Sequence, residues 1–217
     1  YAVSEDGHYL IYREITSPDY ATDGNPKPNY VLINLETGVS LPILKGLQNP
    51  GNYSFPKDGQ GFYFSAETSS DPQWNGAGIQ ELYYFDFAAK DYIKVPLDWE
   101  NGLSGSYYLN GSDVLAQLAN GPLQKLRYYQ KEGKGWTWKD FELGELEGHV
   151  NVLAFNHKTD NVIYRYSTAA KLPEYKLAQL QVNRKNVALE NPVTLTALNT
   201  KLKKKPVAKS EIIYWKG

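Results

Sequence analysis

Residues 4–12 read Ser4-Glu5-Asp6-Gly7-His8-Tyr9-Leu10-Ile11-Tyr12, which is an Asp-Gly turn followed by a run of large apolar side chains. Asp-Gly is a strong signal for a tight hairpin turn, because such a turn needs a positive φ that glycine adopts without strain. The run after the turn does not alternate apolar with polar residues, as a strand with one solvated face would. It is typical of a strand that is buried on both faces. The stretch therefore predicts a strand that needs cover on both sides.

The same pattern returns three times along the chain. An apolar run follows a turn at Asp58-Gly59 (residues 62–64), at Asn110-Gly111-Ser112 (residues 114–118) and at Thr159-Asp160-Asn161 (residues 162–166). A spacing of roughly fifty residues lies within the period range of solenoids, propellers and arrays. In a propeller each small antiparallel sheet lies between two neighbouring sheets, which accounts for strands that are apolar on both faces. The sequence predicts an all-β fold, a β-propeller of about four four-stranded antiparallel blades that we expect to be part of a larger ring.

The turns and apolar runs also set the expected boundaries of the blades. We place the blades at residues 1–46, 47–102, 103–147 and 148–200, followed by a connector and a strand at 201–217. In the second blade the expected strands are about 52–55, 61–67, 81–87 and 91–96, and in the fourth about 150–156, 161–167, 174–181 and 187–195.

Composition excludes several classes of function. The formal net charge is −1, so no bulk attraction toward nucleic acid or membrane is indicated. The chain has no cysteine, which excludes disulfides and thiolate metal sites, and no apolar run approaches the length of a membrane span. The lysines within 201–209 lack interleaved aromatic residues, so we interpret them as a solvated connector. We expect no cofactor, no nucleic-acid partner and no membrane partner.

The first residue lies inside what reads as the first strand of a blade. The chain begins with Tyr1 and contains no methionine. We therefore expect it to be a segment of a longer protein. The terminal blades of an open arc would leave apolar faces uncovered, so we expect such a segment to close its ring with another copy, to swap strands or to associate face to face. A closed ring of four blades is the alternative.

These repeats resemble the propeller of the prolyl oligopeptidase family of serine peptidases. The usual turn of that family resembles Ser-Pro-Asp-Gly, and this chain has Ser4-Glu5-Asp6-Gly7 and Phe55-Pro56-Lys57-Asp58-Gly59. Near the C-terminus, residues 193–199 and then Ser210-Glu211-Ile212-Ile213-Tyr214-Trp215-Lys216-Gly217 resemble the junction between that propeller and an α/β-hydrolase domain. The subgroup that the chain resembles is that of the acylaminoacyl-peptidases and dipeptidyl-aminopeptidase-like enzymes, and the resemblance covers essentially the whole chain.

The resemblance implies a non-catalytic propeller that gates the active site of a peptidase and filters its peptide substrates by size. The partner domain would be a C-terminal α/β-hydrolase that is absent from this chain. The resemblance also leans toward an exported, periplasmic or secreted, bacterial protein. The alternative from another class is a stand-alone protein-binding β-propeller, TolB-like or similar, with no enzymatic activity.

No catalytic or metal-binding constellation is apparent in the sequence. A serine hydrolase of this class needs a Gly-x-Ser-x-Gly elbow, and the nearest string, Gly102-Leu103-Ser104-Gly105-Ser106, lacks the final glycine. We interpret it as a loop between two units. His149 follows Glu145 and Glu147, but no second ligand lies at a metal-site spacing. We therefore assign no catalytic residue and no metal ligand.

Two long loops within the first two blades are the candidate substrate-access sites. The loop of about residues 15–29 carries Tyr20 beside Asp19, and the loop of residues 68–76 carries Trp74 with Asp71 and Pro72. Long loops in compact repeats are often functional. We predict that Tyr20 and Trp74 line the entrance to the active site of the hydrolase.

Overall fold

In the computed structural model, the protein is described over residues 1–24, 26–69 and 78–198, together with residues 202, 205, 211–213 and 215. Within these residues sixteen strands form four four-stranded antiparallel sheets. Each sheet takes four strands that are consecutive in the chain, paired in chain order. The strands are β1 (Ala2–Val3), β2 (Tyr9–Glu14), β3 (Asn29–Asn34), β4 (Ser40–Ile43), β5 (Gln48–Ser54), β6 (Gly61–Thr68), β7 (Ile79–Asp86), β8 (Asp91–Lys94), β9 (Leu103–Asn110), β10 (Asp113–Asn120), β11 (Leu123–Glu132), β12 (Gly135–Asp140), β13 (Val150–Asn156), β14 (Asn161–Thr168), β15 (Lys171–Val182) and β16 (Val187–Thr194).

This strand order confirms the expected fold class. Four consecutive strands, each hydrogen-bonded to the next, make up the blade of a β-propeller. Helical structure within the described residues is limited to one turn of α-helix, α1 (Tyr20–Asp23), one 3-10 turn (Gly144–Leu146) and the 3-10 conformation of Leu202. The protein is all-β, a β-propeller fold with four-stranded antiparallel blades.

The first strand of the second sheet begins earlier than predicted. It runs over Gln48–Ser54 instead of 52–55, and its pairing with β6 shifts register twice. Of the residues that the prediction missed, Asn49 has a positive φ and Pro50 lacks an N–H, and Asn52, at the predicted start of the strand, also has a positive φ. A strand with such bulges shows neither alternation nor an apolar run in the sequence.

The described residues divide into two compact units. The first unit comprises residues 1–103, 109–112 and 131–136, and the second comprises residues 104–108, 113–130 and 137–217. Sheets β1–β4 and β5–β8 therefore belong to the first unit, and sheet β13–β16 belongs to the second.

In the first unit, one face of sheet β1–β4 packs against one face of sheet β5–β8. Ile11 and Leu32, which pair across β2 and β3, lie in one apolar cluster with Phe62 and Phe64 of β6. Phe62 stacks on Phe85 with ring centroids 5.0 Å apart. Stacked aromatic pairs add to the stabilisation that comes from buried apolar area. The predicted double-sided apolar strand is thus covered on its Ile11 face by the next blade.

The opposite face of β6 is covered as well. The Tyr63 hydroxyl donates a hydrogen bond to the Ser112 carbonyl oxygen at 2.8 Å and accepts one from the Trp136 indole nitrogen at 2.9 Å. The Ser112 hydroxyl donates to Asp58 at 2.7 Å, so the Asp58-Gly59 turn is held from the same side. Six consecutive residues of β6, Gly61 to Ala66, are buried. Burial on both faces is what the apolar run in this strand predicts.

In the second unit, a buried amide joins two neighbouring sheets. The side chain of Gln117 on β10 donates from Nε2 to the Val152 carbonyl oxygen at 3.0 Å and accepts from the Val152 N–H at 2.7 Å. Val152 lies at a bulge in the β13–β14 pairing, where its backbone groups need other partners. Gln117 is only 2% exposed, and its amide satisfies both groups as a neighbouring strand would.

We predict that Gln117→Leu lowers the free energy of unfolding by about 2–4 kcal/mol, because the Val152 N–H is left buried without its acceptor. Urea denaturation followed by circular dichroism measures the change. Gln60→Leu, at an exposed position, is the matched control and should change stability by about 0.5 kcal/mol or less. Equal effects of the two substitutions would contradict the bridging role of Gln117.

Candidate functional site

The string at residues 102–106 is not a nucleophile elbow. Ser104 lies on strand β9 and its hydroxyl donates to the Gln124 side-chain oxygen at 2.6 Å. The interpretation of this string as a loop is wrong for Leu103 to Ser106, which are part of the strand. A nucleophile elbow needs a sharp strand-to-helix turn, and strand β9 provides none at Ser104.

The three histidines have ordinary structural surroundings. The ring of His149 lies edge-on against Tyr166, with centroids 6.4 Å apart. His8 lies 3.4 Å from Asp6 and 3.3 Å from Glu36 at an exposed turn. His157 is half-buried and its Nε2 atom is shielded from solvent, so it is less solvated than other turn residues of the repeat.

No group of three or more His, Cys, Asp or Glu in the described part of the chain is placed to hold a metal ion. No helix in that part is both long and apolar enough to cross a membrane.

The polar cluster around Asp58 has a structural role in the first unit. Burial opposes ionisation of this carboxyl, but the Gln60 N–H, the Ser112 hydroxyl and Lys131 outweigh it and lower the pKa of Asp58. The Lys131 ammonium lies 3.5 Å from Asp58 and 4.0 Å from the centre of the Tyr84 ring. An ionised carboxylate with these partners anchors the turn.

The structure places Tyr20 on the single helical turn α1, within the long connection between β2 and β3. The turn ends at Gly24, whose positive φ of 63° forms a left-handed cap with a hydrogen bond from its N–H to the Tyr20 carbonyl oxygen. Tyr20 itself is half-buried. Trp74, the other predicted access residue, lies outside the described residues.

Four residues are linked through their effects on tyrosine pKa values, and we call them the Tyr–Arg cluster: Arg13, Tyr20, Tyr30 and Tyr53. Arg13 and Tyr20 both act on the pKa of Tyr30, and Arg13 and Tyr30 act on the pKa of Tyr53. Burial raises the pKa of Tyr30, while a hydrogen bond and the charge of Arg13 act in the opposite direction and Tyr20 adds to the rise. Burial also raises the pKa of Tyr53, whose hydroxyl donates to the Pro50 carbonyl oxygen at 3.1 Å. Arg13 remains exposed at the end of β2.

A groove of about 450 Å³ adjoins this cluster at Tyr30. We call it the β4–β5 groove; its described lining is Lys27, Pro28, Asn29, Tyr30, Pro42, Ile43, Leu44, Lys45, Gly46, Leu47, Gln48 and Asn49. The floor includes Leu44, which is buried and has a φ of 57°. A left-handed leucine is a strained conformation, and such conformations cluster at functional sites.

The lining of the β4–β5 groove is positively charged. Lys27 and Lys45 contribute two exposed ammonium groups, and no carboxylate stands among the described lining residues. The exposed Arg13 guanidinium belongs to the adjoining Tyr–Arg cluster. The site therefore combines tyrosine rings, an arginine and lysines around a concave surface, without a nucleophile or a general base.

The sequence contains a partial signal for this site. The long loop singles out Tyr20, whereas no feature of the sequence singles out Tyr30 or Tyr53. Arg13 interrupts the apolar run of β2, and that interruption is the signal that was available. Tyr30 and Tyr53 are indistinguishable in the sequence from the many core tyrosines.

Comparisons with known proteins leave the function open. Neither protein-family models nor curated proteins match the chain. Among solved structures, the chain is similar to TolB from Acinetobacter baumannii, with 14% sequence identity and a TM-score of 0.49. The match covers 88% of this chain and 44% of the TolB chain, so this chain spans less than half the length of that structure. The fold class rests on the four sheets themselves.

We predict that Arg13→Ala raises the pKa of Tyr30 further above 10.0, because it removes the charge and the hydrogen bond that oppose the effect of burial. Tyrosine-ring NMR resonances followed through alkaline titration measure this value. Arg13→Lys keeps a positive charge and should give the smaller shift. An unchanged or lower pKa of Tyr30 in Arg13→Ala would contradict the interaction between Arg13 and Tyr30.

The same ionisation affects stability. A raised pKa means that the folded chain keeps the Tyr30 proton at a pH where the unfolded chain loses it. The contribution of Tyr30 to the free energy of unfolding is therefore fully present below pH 10.0 and is lost as pH rises above that value.

Proposed function

We propose that the chain is a non-catalytic β-propeller module that binds a protein partner through the β4–β5 groove and the Tyr–Arg cluster beside it. The partner segment would carry carboxylates, which would lie near Lys27, Lys45 and Arg13. The observation that carries the proposal is the concave, positively charged groove of about 450 Å³ lined by the buried Tyr30, with the half-buried Tyr20 and Tyr53 in the adjoining cluster.

The composition of the site supports protein binding over catalysis. Tyrosine and arginine are enriched among the residues that dominate binding energy at protein interfaces, since they combine large contact area with directional hydrogen bonding. Lysines around a groove attract acidic segments and accelerate association. The backbone of Leu44 and Asn49 is fixed in left-handed conformations, so the floor of the groove is pre-organised.

The test is selection of random peptides displayed on phage against the immobilised 217-residue chain. We expect retained peptides to be rich in Asp and Glu, and their affinity to fall by about tenfold or more in Lys27→Glu with Lys45→Glu, because charges of the same sign then meet. Lys57→Glu with Lys158→Glu makes the same change of net charge at exposed positions outside the groove.

Two results would contradict this proposal. One is an equal loss of affinity in the control double variant, which would indicate a general effect of charge. The other is a selection that retains no acidic peptide on the unaltered chain while circular dichroism shows it to be folded.

A second candidate function is the substrate-filtering propeller of a serine peptidase of the prolyl oligopeptidase family. Its support is the sequence resemblance of the Asp-Gly turns and of residues 193–199 and 210–217, together with the position of Tyr20 on a long loop. In this function the partner is a C-terminal α/β-hydrolase domain and the bound segment is a peptide substrate.

The coding sequence after Gly217 tests the second candidate directly. The peptidase function predicts a Gly-x-Ser-x-Gly elbow there, and a protein containing it should change its preference for peptide length when the loop bearing Tyr20 is shortened. A following sequence without an elbow, or a length preference that the shortened loop leaves unchanged, would reject it.

A further inference from the structure

The outer face of the first sheet is apolar and remains accessible in the described part of the chain. The register of β1 to β4 places six apolar residues and three polar ones on the face opposite Ile11. We call this the first outer face: Val3, Leu10, Tyr12, Val31, Ile33 and Pro42, with Glu14, Asn29 and Ser40. Val3 is 49% exposed, and Leu10, Tyr12, Val31 and Ile33 are partly exposed.

Such a face is unusual on a protein that stays monomeric. Four strands about 4.8 Å apart present a continuous apolar surface, not scattered single residues. Contiguous apolar surface of that kind marks an interaction site, because its exposure to water is unfavourable.

A second accessible face lies on sheet β13–β16 in the other unit. The register of these strands places Ile163, Leu177 and Val193 in one row, with Arg165 and Tyr175 in the row beside it. We call this the fourth outer face: Ala154, Ile163, Tyr175, Leu177, Ala188 and Val193, with Asn151, Asn161, Arg165, Gln179, Gln181 and Glu190. Val193 is 58% exposed, and Ile163 and Leu177 are partly exposed.

Each blade has two different faces, and the chain shows how each is covered. Counted from the first residue of the second strand, Ile11, Tyr12 and Arg13 in β2 correspond to Ile163, Tyr164 and Arg165 in β14. In the first sheet, Ile11 lies on the face that the following blade covers. In the fourth sheet, Tyr164 lies on the face that contacts the preceding blade, in one cluster with Leu115 and Tyr128.

The two accessible faces are therefore complementary halves of one blade-on-blade contact. Within the described part of the chain, the first outer face presents Tyr12 and the fourth outer face presents Ile163, and both remain partly exposed. We propose that the chain associates head to tail with a second copy, the fourth outer face of one copy covering the first outer face of the next.

The charges on the two faces agree with this pairing. Glu14 is the only ionisable residue besides Tyr12 on the first outer face as defined, and Arg165 lies within the strand rows of the fourth. Glu190 lies on the edge strand of the fourth outer face, away from Arg165. A contact between two copies of the first outer face would offer Glu14 no basic partner on that face, so the pairing with the fourth outer face is the one that matches opposite charges.

Head-to-tail contacts have a property that symmetric contacts lack. Each copy uses two different surfaces, so blocking one surface leaves the other available. Ile33→Asp blocks the first outer face and Leu177→Asp blocks the fourth, because each buries a carboxylate without a partner in the contact. Val39→Asp is the control, since Val39 is 66% exposed in the turn between β3 and β4 and lies outside both faces.

Sedimentation velocity of the 217-residue chain over a range of concentrations is the experiment. We expect the unaltered chain and Val39→Asp to associate, and each blocking variant alone to associate about a hundredfold more weakly. An equimolar mixture of Ile33→Asp and Leu177→Asp should form a one-to-one dimer, because each supplies the face that the other lacks.

Three outcomes would overturn the proposal. They are an unaltered chain that stays monomeric and folded, a blocking variant that still dimerises alone as strongly as the unaltered chain, and a mixture that behaves as two separate monomers. If circular dichroism shows that an aspartate variant is unfolded, Val31→Thr and Val193→Thr replace the pair with smaller perturbations, and the mixture is scored in the same way.

Discussion

A small sheet that is apolar on both faces cannot be stable alone in water, and the architecture of this protein follows from that constraint. Each blade gains its stability from the blades that cover it, because burial of apolar area is the main favourable contribution to folding. Strand β6 is covered on both faces, because Phe62 and Phe64 pack on one side and Tyr63 is hydrogen-bonded on the other. The two outer faces keep apolar rows that are partly exposed within the described part of the chain.

The strands could be predicted from the apolar runs and the turns. They could not be predicted where the backbone is irregular. Runs such as residues 62–64 predict double-sided strands because their pattern follows directly from burial. Strand β5 was placed too late, because its bulges and left-handed asparagines depend on tertiary contacts. The hydrogen bonds between Gln117 and Val152 could not be predicted from the sequence either. Nothing in the sequence distinguishes this glutamine from any other polar residue until its partner is known.

The candidate site was predictable only through its loop. Tyr20 stood out because long loops in compact repeats are uncommon, but the residues that surround it come from β2, β3 and β5, which are distant in the sequence. Arg13 and Tyr53 could not be assigned to one cluster without the sheet register. The β4–β5 groove and the Tyr–Arg cluster suit binding and not catalysis. Their lysines, arginine and tyrosines offer charge and contact area without an acid–base pair.

Hydrogen–deuterium exchange of the dilute chain, resolved to individual strands, tests the central claim of two-sided cover most directly. A strand exchanges more slowly when its opening exposes more buried apolar surface, and a strand covered on both faces exposes more than one covered on a single face. We predict that β6 and β7 exchange more slowly than β2 and β3, although all four are inner strands of their sheets. Protection of β2 and β3 equal to that of β6 and β7 in the dilute monomer would contradict it.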